Sequence, residues 1–140
     1  MGKINLQKVI VGGLVAGLVL NVFDFLLYGV WLKNDMNAAM AALSKPAMTT
    51  NMILWFVFLD FLYGIWLVWL YAAIRPRFGA GPRTAVIAGV AMWVLFSLLH
   101  TLSEAPMGLF PQRLMVITTV TTLIAWPIAA AAGAKFYSEM

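Results

Sequence analysis

The chain has 140 residues, 64% of them hydrophobic and only 10% charged, with a mean hydropathy of +0.94. Soluble domains run about 45–50% apolar and about 25% charged, so this composition excludes a soluble fold and reads as an integral membrane protein. Cysteine is absent, which removes disulfides and thiolate metal sites, and the formal net charge of +4 fits topology and anionic lipid rather than nucleic acid.

A hydrocarbon core about 30 Å thick needs roughly 20 helical residues to cross it, and only helices satisfy the backbone there in an open chain. Residues 9–32, 52–74, 84–103 and 114–134 qualify, which predicts an all-α, antiparallel four-helix membrane bundle in a single domain spanning residues 1–140. The first run follows Lys3 and Lys8 as a signal peptide would, but it is longer than the 7–15 residues of such a segment and reads as an uncleaved anchor.

After the first span, "NDMNAAMAALSKP" repeats Met36, Ala39, Met40 and Leu43 at helical spacing behind a cap at Asn34 or Asp35, which predicts a short interfacial helix over 35–44. Its methionines suit apolar packing, with a metal-handling surface as the alternative. The connection "IRPRFGAGPRTA" predicts a tight turn, with Pro76 stopping the second helix, Gly79 and Gly81 permitting the reversal and Pro82 opening the third. "SEAPMGLFPQR" is equally brief, and short connections make consecutive helices antiparallel neighbours.

Cations divide unequally: Lys3, Lys8, Arg75, Arg77, Arg83 and Lys135 on one side, Lys33, Lys45 and Arg113 on the other. The positive-inside rule then puts both termini in the cytoplasm, with the Arg75, Arg77 and Arg83 loop against anionic lipids. Trp31, Trp55, Trp66, Trp69, Tyr71 and Phe78 read as interfacial belts, while Trp93 and Trp126 lie deeper.

The stretches "VIVGGLVAGLVLNVFDF", "WLYAAIRPRFGAGPRTAVIAGVAMW" and "GAKFYSE" resemble those of a group of small, uncharacterised bacterial inner-membrane proteins with four helices. The likeness covers most of the chain. It implies a multi-pass protein of the bacterial inner membrane and no particular activity. In that group a glutamate tends to stand where this chain has Asp24, and the second helix often lacks an acid where this chain has Asp60.

At helical spacing the first span aligns Gly13, Gly17, Asn21, Asp24 and Tyr28 on one stripe, small in the cytoplasmic half and polar in the outer half. Gly13 and Gly17 form a G-x-x-x-G, which suits close packing within the chain or between copies. The third span repeats the plan with Ala85, Gly89, Trp93, Ser97, His100 and Glu104, and matching Gly13 to Gly89 suggests a duplicated hairpin. The fourth presents Thr118, Thr122, Ala125, Ala129 and Gly133, with Pro127 expected to free the Leu123 carbonyl for a threonine hydroxyl or a neighbour.

Asp24 lies nine residues before Lys33, and Asp60 nine residues after Asn51, so each sits roughly 13 Å below the outer edge at about 1.5 Å per residue. His100, six residues before Pro106, lies about 9 Å below it. A charged group facing lipid at mid-span costs about 2.5–3.5 kcal/mol or more, so these groups are expected to turn inward and meet Asn21, Tyr28, Tyr63 and Ser97.

Several chemistries fit such a cluster. It can be hydrogen-bonded glue that fixes helix register, or a proton or cation pathway. Asp24, Asp60, His100 and Glu104 would suit iron, manganese or zinc, and His100 alone could hold haem or chlorophyll. Nucleophile chemistry finds no support, since Ser97 and a lone histidine lack the turn such enzymes use. The favoured reading is a membrane accessory or small-ligand-binding protein, acting alone, as a homo-oligomer or as a subunit among other membrane proteins. Its pocket is expected in the outer half of the bundle. A small proton- or cation-translocating protein is the alternative.

Overall fold

The computed structural model describes residues 2–140, which form helices joined by short turns. The Asn5 side chain starts the first span, Leu6–Trp31, by accepting the Lys8 N–H, and Thr49 starts the second, Thr50–Phe78, by accepting that of Met52. Pro82 occupies the first turn of the third span, Pro82–Met107, where its missing N–H removes no helical bond. Pro111 precedes the fourth, Gln112–Ala134. All four are long and apolar enough to cross a membrane. They pack as an antiparallel bundle in which the first and second, third and fourth, and first and fourth spans make the most extensive contacts.

The second helix does not stop at Pro76. It runs through that residue to Phe78: the proline costs the bond to the Ala72 carbonyl and crowds that oxygen, but leaves the N–H groups of Arg77 and Phe78 free to continue the last turn. Gly79 ends it with φ +86°, and the Gly79 N–H bonds the Arg75 carbonyl at 2.8 Å. The turn is then tied down: Gly81 N–H donates to the Tyr71 hydroxyl at 3.1 Å, and the buried Thr84 hydroxyl donates to the Gly79 carbonyl at 2.6 Å. Tyr71 is therefore buried structure and not part of an interfacial belt. Trp31, Trp55 and Phe78 are exposed near span ends, whereas Trp66 and Trp69 stack edge-on along the outside of the second span.

The short helix forms at Lys33–Ala42, slightly earlier than 35–44 and without a cap from Asn34 or Asp35. It needs none, because the chain enters it directly from the first span through Leu32, whose N–H bonds the Leu27 carbonyl at 2.7 Å. Met36 and Ala39 pack against Leu27, Leu32 and Leu114, so this face of the helix is used for packing.

Both ends of the chain lie on one face of the bundle, here the terminal face: Asn5 N–H donates to the Tyr137 hydroxyl at 3.4 Å, and Gly2 lies against the Glu139 side chain. The half of the bundle nearer this face is closed by small residues. A Cβ on Gly17 would come 2.7 Å from the Phe61 Cα, and Gly64 sits directly on the Gly13 and Gly17 backbone. Gly12 and Gly133 are as close, a Cβ on either falling 2.6 Å from the carbonyl oxygen of the other. Gly89 lies on Pro127, and Ala16, Ala85, Ala88, Ala129 and Ala130 fill the core around Leu67, Val68 and Trp126. Lipid gives helices no hydrophobic reason to associate, so backbone approach over glycine and alanine supplies the attraction. The G-x-x-x-G is thus spent within the chain.

The opposite, far half is built differently. From Phe25 to Trp31, and again from Val94 to Leu98, the backbone loosens into π-helix. Beyond Asp24 the first span packs on the short helix and, through Leu27, on Leu114 and Ile117 of the fourth span.

Candidate functional site

Side chains on a helix lean toward its N-terminus. In antiparallel spans Asp24 therefore leans toward the terminal face and Asp60 toward the far face, and the two carboxyl groups come to lie side by side. Asp60 is 8% exposed and Asp24 partly buried. Tyr28 lies beside the pair and near the Thr118 side chain of the fourth span, whose hydroxyl donates to the Met115 carbonyl at 3.1 Å. Asn21, one turn before Asp24, donates from Nδ2 to the Val57 carbonyl at 3.4 Å and so clamps the same two spans.

The ion pairs among the described residues are Arg75 with Glu139, His100 with Glu104 and Arg113 with Asp35. None of them brings a cation to Asp24 or Asp60. Two carboxylates side by side and out of water repel and lose hydration, so the arrangement calls for a positive charge or a shared proton between them.

Of the residues expected to form one cluster, Asp24, Asp60 and Tyr28 come together, with Asn21 adjoining. Ser97 and Tyr63 belong to a second group. Trp126 Nε1 donates to the Ser97 hydroxyl at 3.3 Å, and the Tyr63 ring lies 5.3 Å from that of Phe96 and 5.7 Å from that of Trp126. Trp93 Nε1 donates to the Thr119 carbonyl at 2.8 Å, and the Thr119 and Thr101 hydroxyls bond each other at 3.0 Å. Both deep tryptophans are thus engaged with protein partners. The hydroxyls of Thr118, Thr119, Thr121 and Thr122 bond carbonyls of the preceding turn of their own helix, not that of Leu123.

His100 does not join the aspartates. Its side chain is 62% exposed and its Nε2 lies 3.3 Å from Glu104 Oε1. The cause is the π segment Val94–Leu98, which falls between Trp93 and His100. A wider turn displaces everything beyond it by roughly one residue, about 100° around the axis, so the stripe read at uniform spacing ends at Ser97. The proposed metal set of Asp24, Asp60, His100 and Glu104 is accordingly split into two separate pairs, and no group of three or more such ligands is gathered among the described residues.

Nor do the polar groups surround an open chamber. A cleft of about 270 Å³ on the far face is lined by Asp35, Ala38, Leu109 and Arg113, and not by the aspartates. Gly12 and Gly64 belong with Gly13, Gly17, Gly89 and Gly133 in the packing of the terminal half, and Thr118, Thr119 and Thr101 belong to the polar layer. The "TTVTT" run at 118–122 was the signal for the threonines, and antiparallel pairing alone reveals that Gly64 faces Gly13 and Gly17.

Fold and site together define a multi-pass membrane protein: a four-helix bundle with a carboxyl pair in its far half. A scan against protein-family models, a search of curated proteins and a search of solved structures each return no match.

Proposed function

We propose that this is an accessory or small-ligand-binding protein of the bacterial inner membrane, with both termini in the cytoplasm, whose carboxyl pair holds a proton or a small cationic group. The observation that carries this reading is the meeting of Asp24 and Asp60, from separate spans, with none of the ion-pairing cations among the described residues beside them. Tyr28 and Thr118 would orient the bound group from the far side. Intramembrane acids are costly and are retained where they bind or relay charge.

Translocation of the proton or cation is the second reading. The tight glycine contacts of the terminal half weigh against it, because passage would require Gly64 to separate from Gly13 and Gly17. The orientation rests on the excess of cations at the terminal face.

A hydrophobic carbodiimide, which reacts with protonated carboxyls out of water, tests the site. Asp24 or Asp60 should be labelled in the purified protein, small cations should protect it, and Asp24→Asn or Asp60→Asn should abolish protection. Absence of labelling, together with no protonated-carboxyl band in the infrared spectrum, or labelling that no cation slows, would leave the pair as structural glue. Proton flux in proteoliposomes, lost in the same variants, would instead establish translocation.

A further inference from the structure

At the terminal face the Arg75 guanidinium packs against a pair of aromatic rings, with Cζ 5.7 Å from the Tyr71 centroid and 5.2 Å from that of Tyr137. The rings meet edge to face at 6.0 Å. The nearest acid is Glu139, whose Oε1 is 3.8 Å from Nη1, too long for a hydrogen bond. Arg75 Nε and Nη1 are both shut off from solvent and make no hydrogen bond. Buried polar groups nearly always have partners, and a guanidinium offers its donors in a rigid planar fork. A fork buried against aromatic rings, with two donors lacking acceptors, is pre-formed for an anion.

What covers it is informative. Tyr71 is fixed, since its hydroxyl accepts the Gly81 N–H. Tyr137 and Glu139 come from the segment that follows the fourth span; backbone bonds from Phe136 to Gly133 and from Tyr137 to Ala134 and the buried Tyr137 ring hold its start, while beyond Tyr137 the Glu139 ion pair is the polar contact seen among the described residues. Arg77, Arg83 and Lys135 are exposed on the same face.

We propose that Arg75 is the centre of a phosphate-binding site, and that residues 135–140 occupy it as an internal stand-in, the Glu139 carboxylate taking the place of the phosphate. A phosphate matches the fork in bidentate fashion, as the distant carboxylate does not. It can reach Nε and Nη1 only when Tyr137 and Glu139 lift away, so phosphate and segment bind Arg75 alternately. The phosphate can belong to a lipid headgroup or to a free ion. The headgroup form rests on the terminal face lying at an anionic leaflet; the site itself is independent of the carboxyl pair.

The chain has no cysteine, so a spin label on Ser138→Cys reports this segment alone. In maltoside micelles, which carry no phosphate, the label should be immobilised. Adding phosphatidylglycerol should free it. Release by phosphatidylglycerol but not by inorganic phosphate identifies a headgroup site, and release by both identifies a general phosphate site. Release by neither, or equal release by chloride at matched ionic strength, overturns the proposal. Glu139→Gln removes the competitor and should lower the half-release concentration about two- to fivefold. Arg75→Lys keeps the charge without the fork and should raise it at least about tenfold. An unchanged value in Glu139→Gln would mean that the carboxylate is not the occupant, and would equally overturn the proposal.

Discussion

The terminal and far halves of this bundle are made from the same four helices and held by different forces. In the terminal half, glycine and alanine bring backbones into contact, and a Cβ would have no room on Gly13, Gly17, Gly64 or Gly133. In the far half, two spans loosen into π-helix, and the groups that cross between helices are polar: Asp24 with Asp60, Tyr28 with Thr118, Trp93 with Thr119, Thr101 with Thr119. Backbone contact over small residues has one close-packed solution. Polar contact in an apolar medium leaves room for exchange of partners, and π segments are frequent at functional sites. Stability is thus expected to reside near the termini and chemistry near the opposite face.

The contrast can be broken most severely at Gly64. Gly64→Val drives a side chain into the Gly13 and Gly17 backbone and should cost about 3 kcal/mol, read as a large fall in the detergent concentration that unfolds the protein. Asp60 comes next. Asp60→Ala leaves Asp24 facing a void and should cost about 2 kcal/mol, whereas Asp60→Asn can still hydrogen-bond and should cost no more than about 0.6 kcal/mol. Equal losses in the two variants would mean that the carboxyls are not partners. Trp93→Phe removes the donor to Thr119 and should cost about 1 kcal/mol, read as a smaller fall in the same unfolding midpoint. The smallest effect belongs to Asp35 and Arg113, paired at 3.0 Å but largely in solvent. Asp35→Asn should cost below about 0.5 kcal/mol, vanishing at high salt.

Much of this arrangement was legible in the chain. Hydropathy located the four spans to within a few residues, the alternation of short turns made them antiparallel, and counting from Lys33 and Asn51 put Asp24 and Asp60 at one level. The stripe of Gly13, Gly17, Asn21 and Asp24 holds because the first span stays α-helical up to Asp24. The stripe through Trp93, Ser97 and His100 fails because a π segment interrupts it, and no residue type in "VLFSL" announces that.

By itself, then, the sequence determined how many times the chain crosses the membrane and how deep each polar residue lies, since hydropathy and rise per residue add up along a helix regardless of its neighbours. Tertiary structure alone decided which groups face each other: that Gly64 fills the G-x-x-x-G, that Tyr28 lies near Thr118, that His100 turns outward to Glu104 and that Arg75 packs against Tyr71 and Tyr137. Facing depends on the rotation of each helix about its own axis, and one widened turn or one tight crossing resets that rotation for every residue beyond it.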